Sequence, residues 1–126
     1  MRTLAEVQQE VEHLIIEEWH NNYWHPLSSL ARLTEEVGEL AREMNHRYGE
    51  KPKKASEGEG NMSAELGDIL YIVAALANSV GIDLDSAFDE VMAKYRQRDA
   101  QRWTPQSTQA RSVKEQLARE IADQEE

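Results

Sequence analysis

The stretch Met62–Val80, MSAELGDILYIVAALANSV, decides how this chain folds. Leu66, Ile69, Leu70, Ile72, Val73, Leu76 and Val80 recur at helical steps and cover more than half the circumference of a helix. A helix that apolar must be packed on several sides, so the segment is expected at the centre of the molecule. Gly81 is placed to cap its end. Two acids interrupt the pattern. At about 100° per residue, Glu65 falls inside the apolar arc, between the directions of Ile72 and Leu76, and Asp68 falls on its edge. Glu65 is therefore expected to be the deepest acid of the chain.

Working outward, the segment from about Thr3 to His20 places Leu4, Val7, Val11, Leu14 and Ile15 in one helical stripe and stops at Asn21-Asn22. Pro26 opens a second helix at a position where its missing donor costs nothing; Leu30, Leu33, Val37, Leu40 and Met44 carry it to Asn45, and Gly49 closes it. From Gly49 to Asn61, glycine, proline and charge without period read as an exposed loop. Asp83 can cap a fourth helix, whose stripe of Leu84, Ala87, Phe88, Val91 and Tyr95 runs to about Arg102. Pro105 and a Ser/Thr/Gln cluster break the chain there. The expected layout is an all-α domain over residues 1–103, a four-helix bundle, and a polar tail over 104–126. The tail's thin stripe of Val113, Leu117 and Ile121 suits a frayed end or a short docking helix. Four short stripes bury little surface alone, so a homodimer or homotetramer is expected to complete the bundle.

Composition agrees. The chain has 126 residues, with 24 Asp and Glu against 14 Lys and Arg, a net charge of -10. Length bounds it to one domain, and the acidity repels phosphate backbones, so duplex nucleic acid is not an expected partner. It has no basic patch to hold an anionic membrane and no run approaching roughly 18 uncharged residues, so no membrane association is expected. With no cysteine there is no disulfide, thiolate nucleophile or zinc finger, and any metal must be held by oxygen or imidazole. A reducing cytoplasm fits. Three prolines and six glycines are too few for the turns of an all-β fold.

The chemistry lies in the acids. Glu35, Glu36 and Glu39 lie within about 100° of one another on the second helix, and Glu65 and Asp68 lie about 60° apart on the third. Glu36-Val37-Gly38-Glu39 and Glu65-Leu66-Gly67-Asp68 share one pattern, acid, branched apolar, glycine, acid. Each mid-helix glycine costs roughly 1 kcal/mol against alanine, which suggests the close approach of a second backbone or a ligand. A single helical Glu is usually a solvated face, but Glu65 sits in an apolar arc with no Lys or Arg within one turn on its own helix. A desolvated carboxylate facing others either takes up a proton or is neutralised by a cation. A hard divalent metal is the simplest remedy. All-oxygen ligation points to Mg²⁺ or Mn²⁺, and an open, water-bearing Mg²⁺ site is the usual partner of a polyphosphate.

Glu-Glu-x-x-Glu at 35, 36 and 39, followed by Glu-x-x-Asp at 65 and 68, resembles the signature of the MazG-like nucleoside triphosphate pyrophosphohydrolases. The resemblance is strongest to the short, single-domain YpjD type. It extends through the runs 31–36 and 45–54 and through Arg98-Asp99 and Arg102-Trp103, covering roughly Leu4 to Trp103. It implies an all-α enzyme that cuts a nucleoside triphosphate between the α and β phosphates with Mg²⁺, in nucleotide-pool house-cleaning. It also implies metal ligands at Glu36, Glu39, Glu65 and Asp68. Glu35, about 100° from Glu36 on the same helix, is then the expected base or second-metal ligand.

Other residues are expected around the substrate. Lys94 and Arg98, four apart beside the fourth stripe, are candidates for the phosphates. Lys51, Lys53 and Lys54 read as a loop that serves solubility, and Glu43 as structural. In the aromatic linker 19–25, Trp24 is a candidate to stack a nucleobase, whereas Trp19 is expected to anchor the first helix in the core. Asn78 is a candidate hydrogen-bond partner of the nucleotide. Two alternatives stand beside this reading. A ferritin-like metal bundle is suggested by Glu-x-x-His at Glu10/His13, Glu17/His20 and Glu43/His46, but His13 and His20 project about 160° from their apolar stripe. A non-catalytic helical interaction module does not account for Glu65.

Overall fold

A computed structural model describes residues 1–49, 61–100, 102 and 109–125, and these are mostly helical, with no strand among them. Helix α1 spans Leu4–Glu12 and runs into a π-helical segment, His13–Glu18. Helices α2 (Pro26–Tyr48), α3 (Met62–Val80), α4 (Leu84–Asp99) and α5 (Gln109–Glu125) follow. The lysines of the second loop and the break at Pro105 lie outside the described residues.

Local chemistry sets the ends. Thr3 and Glu6 form a capping box at the start of α1. The Asp85 carboxylate, from the first turn of α4, accepts from the Leu4 and Ala5 N–H groups at 3.2 and 3.0 Å, a second anion on the same helix terminus. The π turn, in which the Trp19 N–H donates to the Leu14 carbonyl at 2.9 Å, replaces the last turns of the expected first helix. His20 follows with a φ of 51°, and the chain leaves the helix axis there. Pro26 is the first residue of α2 behind His25, whose Nδ1 accepts from the Leu27 N–H. The helix continues past the expected Asn45 to Tyr48. Gly81, at a φ of 73°, ends α3 in a Schellman turn, with the Ile82 N–H donating to the Ala77 carbonyl at 2.9 Å. Asp83 caps α4, which ends at Asp99, one turn short of the expected Arg102.

Helix α3 is the central helix: α2 packs along it and α1 crosses it, while α4 leans on α1. Val11, Ile15 and Ala74 form the buried centre, surrounded by Val7, Ile16, Tyr23, Tyr71, Ala75 and Leu84. One polar knot fastens this core. Buried Gln8 donates through Nε2 to Asn78 Oδ1 and the Ile82 carbonyl and accepts the Leu84 N–H through Oε1, all within 2.9 Å. It ties α1 to the turn between α3 and α4. Helix α5 reaches α2, with Leu117 exposed and Ile121 half-buried. By length and mean hydropathy α3 alone among the described helices is apolar enough to cross a membrane, although Glu65 and Asp68 interrupt its uncharged run. In this fold part of that apolar surface packs against α1 and α2, while Leu66, Leu70 and Val80 stay exposed.

Part of the expected core is not covered by the described residues. Leu30, Val37, Leu66, Leu70, Phe88 and Val91 remain largely exposed. The two mid-helix glycines behave likewise: a Cβ at Gly38 or Gly67 would meet nothing within 4 Å, so no second backbone among the described residues approaches either one.

Candidate functional site

The long contact between α2 and α3 brings the two acidic motifs face to face. Glu36, Glu65 and Asp68 each offer a carboxylate oxygen within 4.8 Å of the others. Glu36 is the most buried of the acids, at 9% exposure, whereas Glu65 is half-buried and Asp68 exposed. The wheel placed Glu65 deepest because it treats the whole apolar arc of α3 as interior. In the fold that arc is covered by α2 on one flank only, and Leu66 beside Glu65 stays 53% exposed.

Glu65 is nonetheless the acid under most electrostatic stress. Its Oε2 is buried and accepts from no described group. Burial, then the Glu36 carboxylate within hydrogen-bond range, then the charges of Glu36, Asp68 and Glu39 hold its carboxyl above the ordinary range. Two ionised carboxylates cannot donate to each other, so in the metal-free protein this contact favours a proton on Glu65. Glu39 lies near enough to add its charge while itself exposed. Glu35 is exposed on the neighbouring face of α2. The donor set fits a hard divalent cation: oxygen only, convergent, and with one buried oxygen that lacks a partner. No thiolate or described imidazole joins the group.

One cation stands in the cluster. Arg32, one turn before Glu36, places Nε 2.9 Å from Glu36 Oε1. Sequence reasoning gave Arg32 no role, although its spacing of four from Glu36 was the available signal.

Beside the acids lies a cavity of about 230 Å³, lined by Trp19, Asn21, Asn22, Tyr23 and Trp24 from the linker, Ser29 and Arg32 from α2, and Asp68, Tyr71 and Ile72 from α3. The π turn and the left-handed His20 aim the linker this way. Trp24 lies on the cavity wall, 55% exposed. Trp19, expected to anchor the core, is 58% exposed and lines the same cavity, because the π turn rotates it off the apolar stripe of α1. Burial raises the Tyr71 hydroxyl above its ordinary range, partly offset by the Arg32 charge. The remaining candidates are placed elsewhere. Asn78 is engaged in the polar knot, accepting from Gln8 Nε2 and donating to the Gln8 carbonyl and the Tyr23 hydroxyl. Arg98 grips Asp99 through Nε and Nη2 at 3.3 and 3.1 Å and stacks on Tyr95. Lys94 is exposed on α4, and neither it nor Arg98 lines the cavity. His13 and His20 are exposed.

The family model of the MazG nucleotide pyrophosphohydrolase domain matches residues 25–103, which hold both acidic motifs. The uncharacterized protein YpjD of Bacillus subtilis (strain 168) is 52% identical over 103 residues, 82% of this chain and 92% of its own length. The crystal structure of YPJD from Bacillus subtilis superposes with a TM-score of 0.69 at 49% identity, covering 79% of this chain and 98% of that one. That of the Bacillus-conserved MazG protein, a nucleotide pyrophosphohydrolase, gives 0.63 at 42% identity, covering 75% and 90%.

Proposed function

The chain belongs to the MazG nucleotide pyrophosphohydrolase family, and from that premise we propose that it hydrolyses nucleoside triphosphates between the α and β phosphates, giving monophosphate and pyrophosphate, with Mg²⁺ as its metal. The observation that carries the reading is the convergence of Glu36, Glu65 and Asp68 around a buried carboxylate oxygen without a partner, beside an aromatic cavity.

Water attacks a triphosphate slowly because anionic oxygens repel it and the leaving pyrophosphate must carry new charge. Glu36, Glu39, Glu65 and Asp68 would hold Mg²⁺, which when bound would supply charge to offset the phosphates and to lower the pKa of a water; the cation would also relieve the mutual repulsion that raises the Glu65 carboxyl. Glu35, on the exposed edge of α2, takes the proton of the attacking water. Trp24 stacks the nucleobase in the cavity. Asn78 supports that wall through the Tyr23 hydroxyl, and Lys94 and Arg98 serve the phosphates once α4 is brought to the site by a second copy of the chain. The uncovered apolar residues of α2, α3 and α4 and the open faces at Gly38 and Gly67 support such a homo-oligomer. Removing non-standard or surplus nucleotides from the cytoplasmic pool is the role this chemistry suits.

Chromatographic product analysis tests the reading. Monophosphate and pyrophosphate in equal amounts, formed only with Mg²⁺ or Mn²⁺, are expected from a panel of ordinary and modified nucleotides. Diphosphate plus orthophosphate overturns it.

A further inference from the structure

Among the described residues, Arg32 is the only cationic side chain on the wall of the aromatic cavity, and it stands where that cavity meets the acids. Its Nε is occupied by Glu36 Oε1 at 2.9 Å, while the two Nη nitrogens bond to no other described residue. Its side chain is 45% exposed, so those donors are open to a ligand, whereas the Glu36 carboxylate it holds is only 12% exposed. A guanidinium offers its donors in a rigid planar fork, so one arginine can bind two anions at once, one through Nε and another through Nη. A lysine has one nitrogen and no such division.

We propose that Arg32 is a phosphate-binding residue of this site: Nε fixes the rotamer of Glu36, and the Nη groups take the phosphate that joins the nucleoside to the rest of the chain. The proposal rests on the nucleotide reading above. A ligand whose base lies among Trp19, Trp24 and Tyr71 and whose phosphates reach Glu36, Glu65 and Asp68 must pass Arg32, the one positive group at that junction among the described residues. Without such a charge, the monophosphate dianion would enter a site of net negative charge. The bridge also couples the two halves of the site, because the side chain that orients a metal ligand is the one that meets the substrate.

The test compares a nucleoside with its 5′-monophosphate by calorimetric titration in Mg²⁺-free buffer, on wild type, Arg32→Gln and Arg32→Lys. In wild type the monophosphate is expected to bind more tightly than the nucleoside. In Arg32→Gln that advantage falls by about ten- to hundredfold while nucleoside affinity is unchanged, as expected for loss of one charge-assisted contact. Arg32→Lys recovers part of the phosphate advantage but binds Mn²⁺, followed by its electron spin resonance, more weakly than wild type, because one ammonium cannot serve both anions. The lysine variant carries the test if the glutamine variant does not fold. An unchanged monophosphate-to-nucleoside ratio in the folded variants overturns the proposal. Wild-type product analysis reports separately on the parent reading: pyrophosphate release with an unchanged ratio sinks the role of Arg32 alone, and its absence sinks the reading itself.

Discussion

Replacing Asn78 by alanine should cost stability before it costs binding. The amide makes three partly buried hydrogen bonds, to Gln8 Nε2 at 2.9 Å, the Gln8 carbonyl at 2.9 Å and the Tyr23 hydroxyl at 3.1 Å. At about 1 kcal/mol net for each, with partners left unsatisfied in a half-buried setting, the loss is roughly 2–4 kcal/mol. For a domain of this length about 3–5 °C accompanies each kcal/mol, so the melting temperature should fall by roughly 10 °C. Gln8→Ala should cost a similar amount, since it abandons the Leu84 N–H and the Ile82 carbonyl. Only the Nε2–Oδ1 bond joins the two side chains, so the double variant should lose about 1 kcal/mol less than the sum of the singles. The assay is thermal melting at fixed protein concentration, with monophosphate affinity measured well below the transition. A fall in affinity with no fall in melting temperature would refute the structural assignment and make Asn78 a direct ligand of the nucleotide.

Glu36→Gln and Asp68→Asn should abolish pyrophosphate release while far-UV circular dichroism stays that of wild type; activity within threefold of wild type would remove both from the metal set. The raised carboxyl of Glu65 makes its contribution to stability fully present below the unfolded pKa and lost as pH rises through the folded value, so the metal-free protein should weaken toward neutral pH. Glu65→Gln should flatten that pH dependence and shrink the melting shift given by Mg²⁺, which in wild type reaches about 2.7 kcal/mol at a hundredfold excess over its Kd. A metal-induced shift as large in the variant as in wild type would show that Glu65 holds no metal. Gly38→Ala and Gly67→Ala meet no atom of the described residues, so in a monomer each should raise stability by roughly 1 kcal/mol. Loss of oligomer in light scattering would instead place a neighbouring subunit against those faces.

The helices were legible in the sequence because their causes are local. The apolar period of α3, Pro26 at the start of α2, Asp83 before α4 and the left-handed Gly81 each act within a turn or two of chain. The π turn at His13–Glu18 has no comparable signature, and with it the direction of Trp19 was lost. The paired motifs announced a cluster of acids, since Glu36-Val37-Gly38-Glu39 and Glu65-Leu66-Gly67-Asp68 repeat one arrangement on two helices, and Glu36, Glu65 and Asp68 converge.

Which acids converge, and how deeply, was decided by tertiary packing. A helical wheel fixes angles on one helix but not the register or flank on which its neighbour lies. Helix α2 lies along one side of α3, so Glu36 is buried, Asp68 is open, and Glu65 is caught between them with one oxygen unsatisfied. The same packing spends Asn78 on Gln8 and Tyr23 and sets Arg32 between the acids and the aromatic cavity. Sequence determines which faces of each helix can bury themselves; which of those faces meet is a long-range outcome, set by the summed packing of all the helices, and no local run of residues encodes it.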